Sequence, residues 1–140
     1  MQTGLTFDDL MIGQTASLSK TITEADILMY SAVSMDTNPV HVDAEAARAS
    51  IFKERVAHGM LSAGLISAVL GTRLPGPGTL YLRQSLRFVA PVRIGETVTA
   101  SVEVSELNPE RHRATLKTLC KVGDTLVIDG EAYVQVPARG

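Results

Sequence analysis

The chain has 140 residues, 45% hydrophobic and 20% charged, with 13 basic against 15 acidic side chains and a formal charge of -2. This is enough for one domain over residues 1–140 with a real core, and it gives no basic field for nucleic acid or an anionic membrane. Aromatic residues are only 4% and tryptophan is absent, so Leu, Val, Ile and Ala must build that core.

Residues 1–15 lack the basic and continuous apolar regions of a secretory signal, so a cytoplasmic protein is expected. The pattern then predicts a strand over 15–21. Thr23, with Asp26 three residues on, forms a capping box that opens a helix to about Val33. The run 34–41 follows as a loop: Asn38-Pro39 forces a turn, because proline fixes its own φ and steers the preceding residue away from α geometry. Asp43 is an N-cap for a short helix through 44–49, and 51–56 returns the chain to His58.

Residues 59–73 form the third predicted helix, apolar nearly all round, so something must wrap it. Its apolar stretch, 60–70, is about half of the ~20 residues a membrane span needs. Residues 97–104 alternate strictly, with Val98, Ala100, Val102 and Val104 on one face of a half-buried antiparallel strand. Leu80, Leu82, Leu86 and Phe88 repeat the period. So do Ala114, Leu116 and Val122, then Ala132, Val134 and Val136, with turns near 91–95, 108–109 and 123–124. The expected fold class is α+β, a long helix lying in a curled antiparallel sheet.

Cys120 is the only cysteine; no internal disulfide can form, and its strand face makes it a buried, inert thiol. Glycines 71, 76 and 78 lack the Gly-Lys-Ser/Thr of a phosphate loop, and no Gly-x-Ser-x-Gly is present. Arg83 and Arg87 share a polar strand face, an exposed sheet surface or else a contact for coenzyme A phosphates or a second subunit. His112 is expected to be solvated. Asp36, His41 and His58 show no metal-ligand spacing, and no metal is expected.

The chemistry lies in Ser34-Met35-Asp36-Thr37-Asn38-Pro39-Val40-His41 and in Ala57-His58-Gly59-Met60 at the helix start. With Leu80-Tyr81-Leu82-Arg83-Gln84-Ser85-Leu86-Arg87-Phe88, these runs resemble the signature of MaoC-type, (R)-specific enoyl-CoA hydratases, closest to the short single-domain form that supplies polyhydroxyalkanoate monomers. The resemblance covers about residues 10–136 and implies a hot-dog fold. It implies Asp36 as general base, His41 as its partner, the Gly59 N–H as a contact for the thioester oxygen, and Ser67 as a hydrogen-bonding serine of the core helix. Asn38 is expected to add supporting hydrogen bonds, and His58 reads as a hydrogen-bonding helix-end residue.

The same parts follow from the reaction. Hydrating a 2-enoyl thioester needs a base for water, a proton for the α-carbon and stabilisation of the enolate oxygen. An aspartate at its unperturbed pKa of about 3.9 is a weak base, so Asp36 is expected to be partly buried under the helix. His41 can share the proton near neutral pH, and a helix N-terminus favours developing negative charge. The expected protein is a homodimer, since pairing covers a sheet edge, acting on acyl-CoA with no cofactor beyond the substrate's own coenzyme A. A 3-hydroxyacyl-[acyl-carrier-protein] dehydratase, a thioesterase on the same fold and a non-catalytic acyl-thioester binding module are the alternatives.

Overall fold

A computed structural model describes residues 3–139. The elements run β1 (Thr15–Thr21), α1 (Glu24–Ser34), α2 (Pro39–Val42), α3 (Ala44–Arg48), α4 (Gly59–Thr72), β2 (Leu80–Phe88), β3 (Thr97–Asn108), β4 (Arg113–Val122) and β5 (Thr125–Gln135), after a 3-10 turn at Phe7–Asp9. All strand pairs are antiparallel, in the order β1-β3-β4-β5-β2. This is a hot-dog-like α+β fold, with α4 as the long helix on one face of the sheet.

The starts of α1 and α3 are set by their caps. Thr23 Oγ1 accepts from the Asp26 N–H at 3.1 Å, while Asp26 Oδ2 accepts from the Thr23 N–H at 2.9 Å, which satisfies two otherwise orphaned donors reciprocally. Asp43 Oδ1 accepts from the N–H groups of Glu45 and Ala46. The loop after α1 hides an unforeseen element: Asn38 caps α2, and Pro39 occupies its first turn, where a missing N–H costs nothing.

Helix α4 packs on β3, with β4 and β1 beside it. Ile66, Val69 and Leu70 are buried with Val98, Ala100, Val102, Leu116 and Cys120 in one cluster, each large side chain contributing about 2 kcal/mol on burial. The long helix lies against the antiparallel sheet as expected, but an apolar helix this uniform leads one to expect more complete burial than it has. Its opposite stripe, Met60, Gly64, Ser67 and Gly71, is exposed, because the sheet covers one side only.

A second correction concerns β2. It forms the strand the alternation predicts, yet Leu80, Leu82 and Phe88 are 55%, 36% and 52% exposed, since β2 is an edge strand and α4 lies over β3 instead. Arg87 pairs with Asp129 at 2.8 Å on an exposed surface. His112 is exposed and its ring packs beside Phe7. Cys120 is fully buried, and that burial pushes its thiol pKa up to about 12; it is the inert thiol expected.

Candidate active site

The acid loop is built by short-range hydrogen bonds. Met35, at φ 66° in the left-handed region, ends α1 and turns the chain. Asp36 Oδ1 then accepts from the Asn38 N–H at 3.2 Å, and Asn38 Oδ1 accepts from the Val40 N–H at 3.3 Å. Asn38 thus links the turn after Asp36 to the start of α2. One Asp36 oxygen closes an Asx-turn; Oδ2 has no partner among the described residues.

His41 comes from α2 and is gripped by residues 55 and 56. Its Nδ1–H donates to the Val56 carbonyl at 2.8 Å, since a carbonyl can only accept, and this leaves the Nε2 lone pair free. Arg55 Nε donates to the His41 carbonyl at 2.7 Å, while Arg55 Nη1 meets Glu24 of α1 at 2.8 Å. The next residues join the far side of the molecule: Val56 bridges Arg93, and the Ala57 N–H donates to the Val92 carbonyl at 2.7 Å. These ties deliver His58 and Gly59 to the same place.

Gly59 opens α4, and its N-cap, His58, makes no side-chain capping bond. The Leu61 N–H donates to the His58 carbonyl at 3.1 Å, while the N–H groups of Gly59 and Met60, without a partner among the described residues, can meet an anion or a polarised carbonyl. The glycine is closely packed in a way not visible in the sequence: an added Cβ would stand 2.6 Å from Cδ1 and Cε1 of the Phe88 ring, which would have to move.

Asp36, Asn38, His41 and Gly59 line one pocket of about 490 Å³, together with His58 and Ser62. The remaining wall is apolar, supplied largely by residues 88–92 with Val127 and Ile128. A carboxylate, an imidazole nitrogen and unpaired helix N–H groups thus face a greasy cleft, an arrangement suited to an acyl thioester whose polar carbonyl end must be bound and whose chain must be desolvated.

Two expectations need adjustment. Asp36 is exposed rather than buried under α4; the buried member is His58, at 2% exposure. Ser67 is also exposed and lines a separate recess against β2, with Tyr81, Leu82 and Gln84, that shares only Met60 with the main pocket. The chain by itself does not bring Ser67 to Asp36 and His41.

Sequence reasoning did not foresee Ser31 and Arg55 near the site; His58 is the hydrogen-bonding helix-end residue expected, with bonds to Asp36 and Ser31. Ser31 meets His58 Nε2, and Arg55 is placed only by tertiary contacts, so no local motif marks either one. Asp36, His41 and His58 each offer a ligand-type atom within 4.8 Å of the others. That convergence is tertiary, which is why linear spacing showed no cluster.

Residues 11–125 match the family model described as MaoC like domain. The chain belongs to the MaoC-like family. Within that family it is 60% identical over 134 residues to the (R)-specific enoyl-CoA hydratase of Rhodospirillum rubrum, covering 96% of this chain and 93% of that one. It is 52% identical to the 3-hydroxybutyryl-CoA dehydratase of Methylorubrum extorquens, covering 96% and 86%. Among solved structures, R-hydratase PhaJ1 from Pseudomonas aeruginosa, in unliganded form, superposes with a TM-score of 0.91 at 44% identity, covering 97% and 88% of the two chains.

Proposed function

We propose that this MaoC-like chain is an (R)-specific enoyl-CoA hydratase, adding water reversibly to trans-2-enoyl-CoA to give (R)-3-hydroxyacyl-CoA. The observation that carries the reading is the convergence of Asp36, His41 and the uncapped start of α4 at Gly59 in one apolar pocket. The close similarity to hydratases over nearly the whole chain supports it.

In the forward direction the Gly59 N–H polarises the thioester carbonyl. Asp36 Oδ2 and His41 Nε2, the two unengaged acceptors, take a proton from water as its oxygen bonds to the β-carbon. The π-pair of the double bond moves toward the carbonyl oxygen, and the resulting enolate is held at the helix N-terminus. Return of the proton to the α-carbon restores the thioester, so one water is added and nothing leaves. Asp36→Asn keeps the Oδ1 acceptor of the turn but lacks a carboxylate base.

Asp36 is exposed, and in this reading bound substrate and a second copy of the chain desolvate it. We propose a homodimer in which β2 pairs across its free edge and Met60, Leu80, Leu82 and Phe88 are covered. Ser67, in the recess beyond Met60, then serves as a hydrogen-bonding residue along that covered face. Residues 1–140 act as one catalytic domain. No helix among the described residues is long and apolar enough to cross a membrane, and a single unpaired cysteine suits a reducing cytoplasm.

The test is incubation with crotonyl-CoA, following enoyl absorbance and free thiol together, with product checked by a stereospecific 3-hydroxyacyl-CoA dehydrogenase. Absorbance loss without thiol is expected, falling by about four orders of magnitude in Asp36→Asn. Thiol release marks a thioesterase, and wild-type turnover in the variant removes Asp36 from the mechanism.

A further inference from the structure

His58 touches every part of the proposed machinery without being part of it. Its Nε2 lies 2.9 Å from the Asp36 carbonyl oxygen and 3.1 Å from Ser31 Oγ on α1. Its ring stacks on His41 with centroids 3.8 Å apart and planes 27° apart, and Tyr30 packs beside it at 4.7 Å. Through its own peptide bond it leads into Gly59, for which it is the N-cap residue. One side chain, 2% exposed, therefore meets the acid loop, the imidazole and the oxyanion helix at once.

The partners fix which nitrogen carries the proton. A backbone carbonyl can only accept, so Nε2 bears the hydrogen and shares it between the Asp36 carbonyl and Ser31 Oγ. The reverse tautomer would set two lone pairs against each other at 2.9 Å and bury an unpaired N–H. Nδ1 is left as a lone pair, buried and without a partner among the described residues. All the hydrogen bonding of this ring is thus directed toward α1 and the acid loop, and none of it caps the helix it precedes.

We infer that His58 is a positioning residue: its Nε2–H and the stacked face of its ring hold Asp36, His41 and the Gly59 amide in one reactive geometry. The physical need is plain. Asp36 is exposed, and its N–H and carboxylate are held only within the loop, at 3.1 Å to Ser34 Oγ and 3.2 Å to the Asn38 N–H. Without the tie at its carbonyl, the loop keeps its internal turns and the His41–Val56 bond, but Asp36 itself loses its register against α4. Misplacing a reacting group by about an ångström costs on the order of a hundredfold in rate, while an apolar pocket goes on binding the acyl chain.

This inference rests on the hydratase reading, and the experiment separates the two. Glutamine reproduces the Nε2 position of histidine, and asparagine reproduces only Nδ1. With the fold confirmed by circular dichroism and thermal melting, His58→Asn is expected to lose about a hundredfold in kcat on crotonyl-CoA with KM nearly unchanged. His58→Gln is expected to recover to within about tenfold of the unmutated enzyme. Wild-type kcat in His58→Asn, or equal losses in both variants, overturns the positioning role. Nitrogen-15 spectra of the unmutated protein give a second reading that needs neither substrate nor a folded variant: a protonated Nε2 is expected, and a protonated Nδ1 overturns the inference. No hydration by the unmutated enzyme strikes the hydratase reading, whereas the tautomer speaks to His58 alone.

Discussion

At position 59 glycine answers to two demands. Its N–H is offered by an uncapped helix start, and its hydrogen in place of a Cβ leaves room for Phe88. Phe88 is 52% exposed, so in Gly59→Ala the ring can swing away at small cost in stability, but it swings at the edge of the pocket it helps to line. Gly59→Ala is therefore expected to lose about tenfold or more in kcat/KM on crotonyl-CoA, with nearly unchanged melting. Adding Phe88→Ala should recover part of the loss; if it recovers none, the ring is not the cause. Asp36, His41 and Gly59 were legible in the sequence because each belongs to a short run whose turn or cap chemistry is local. The contacts of His58 were not, because they reach 22 and 27 residues back along the chain. Nor was the exposure of Asp36, which depends on where the sheet leaves α4 uncovered.

Helix α1 carries the acid loop at its far end, so its start has a bearing on the site. Asp26 is paired with Lys20 at 2.9 Å. The hydrogen bond from Lys20, and after it that from the Thr23 backbone, hold the Asp26 carboxyl below its ordinary value of 3.8. A folded-state pKa below the unfolded one means stability that is fully present above the unfolded value and is lost as pH falls through the folded one. Asp26→Asn is expected to lower stability by about 1 kcal/mol or less at pH 7. The gap should close below roughly pH 4, as thermal melts across pH will show; a gap that persists in acid assigns the effect to packing. Caps also explain which elements were readable. The starts of α1 and α3 match the pattern because capping residues act within a few positions; α4, uncapped, and β1 match it through the residue pattern alone. The first half of β5 was missed because Asp129-Gly130 interrupts the alternation, and Gly130 is there for a tertiary reason: a Cβ would run into the Ser85 carbonyl of β2. Helix α2 was hidden because Asn-Pro spells a turn and a helix start equally well.

For the whole molecule the open side is β2, with Leu80, Leu82, Phe88 and nearby Met60 exposed. An apolar edge strand is a template for pairing, and a second copy offers the same edge. Light scattering is expected to give twice the chain mass, and Leu82→Asp to return the single-chain mass with loss of hydratase activity. A monomeric unmutated protein would remove the dimer. The walls of the pocket divide only in part along the chain: the candidate reacting groups come from residues 36–59 together with apolar Val40, Phe52, Val56 and Ala57, whereas the rest of the apolar lining comes mainly from residues 88–92 and 127–128. The lining at 88–92 and 127–128 is therefore separate along the chain from the candidate proton-handling residues. Outside Phe88, which packs against Gly59, substitutions at 89–92 and 127–128 would reshape the cleft without touching the candidate proton-handling groups, which makes this scaffold a natural starting point for retuning substrate length.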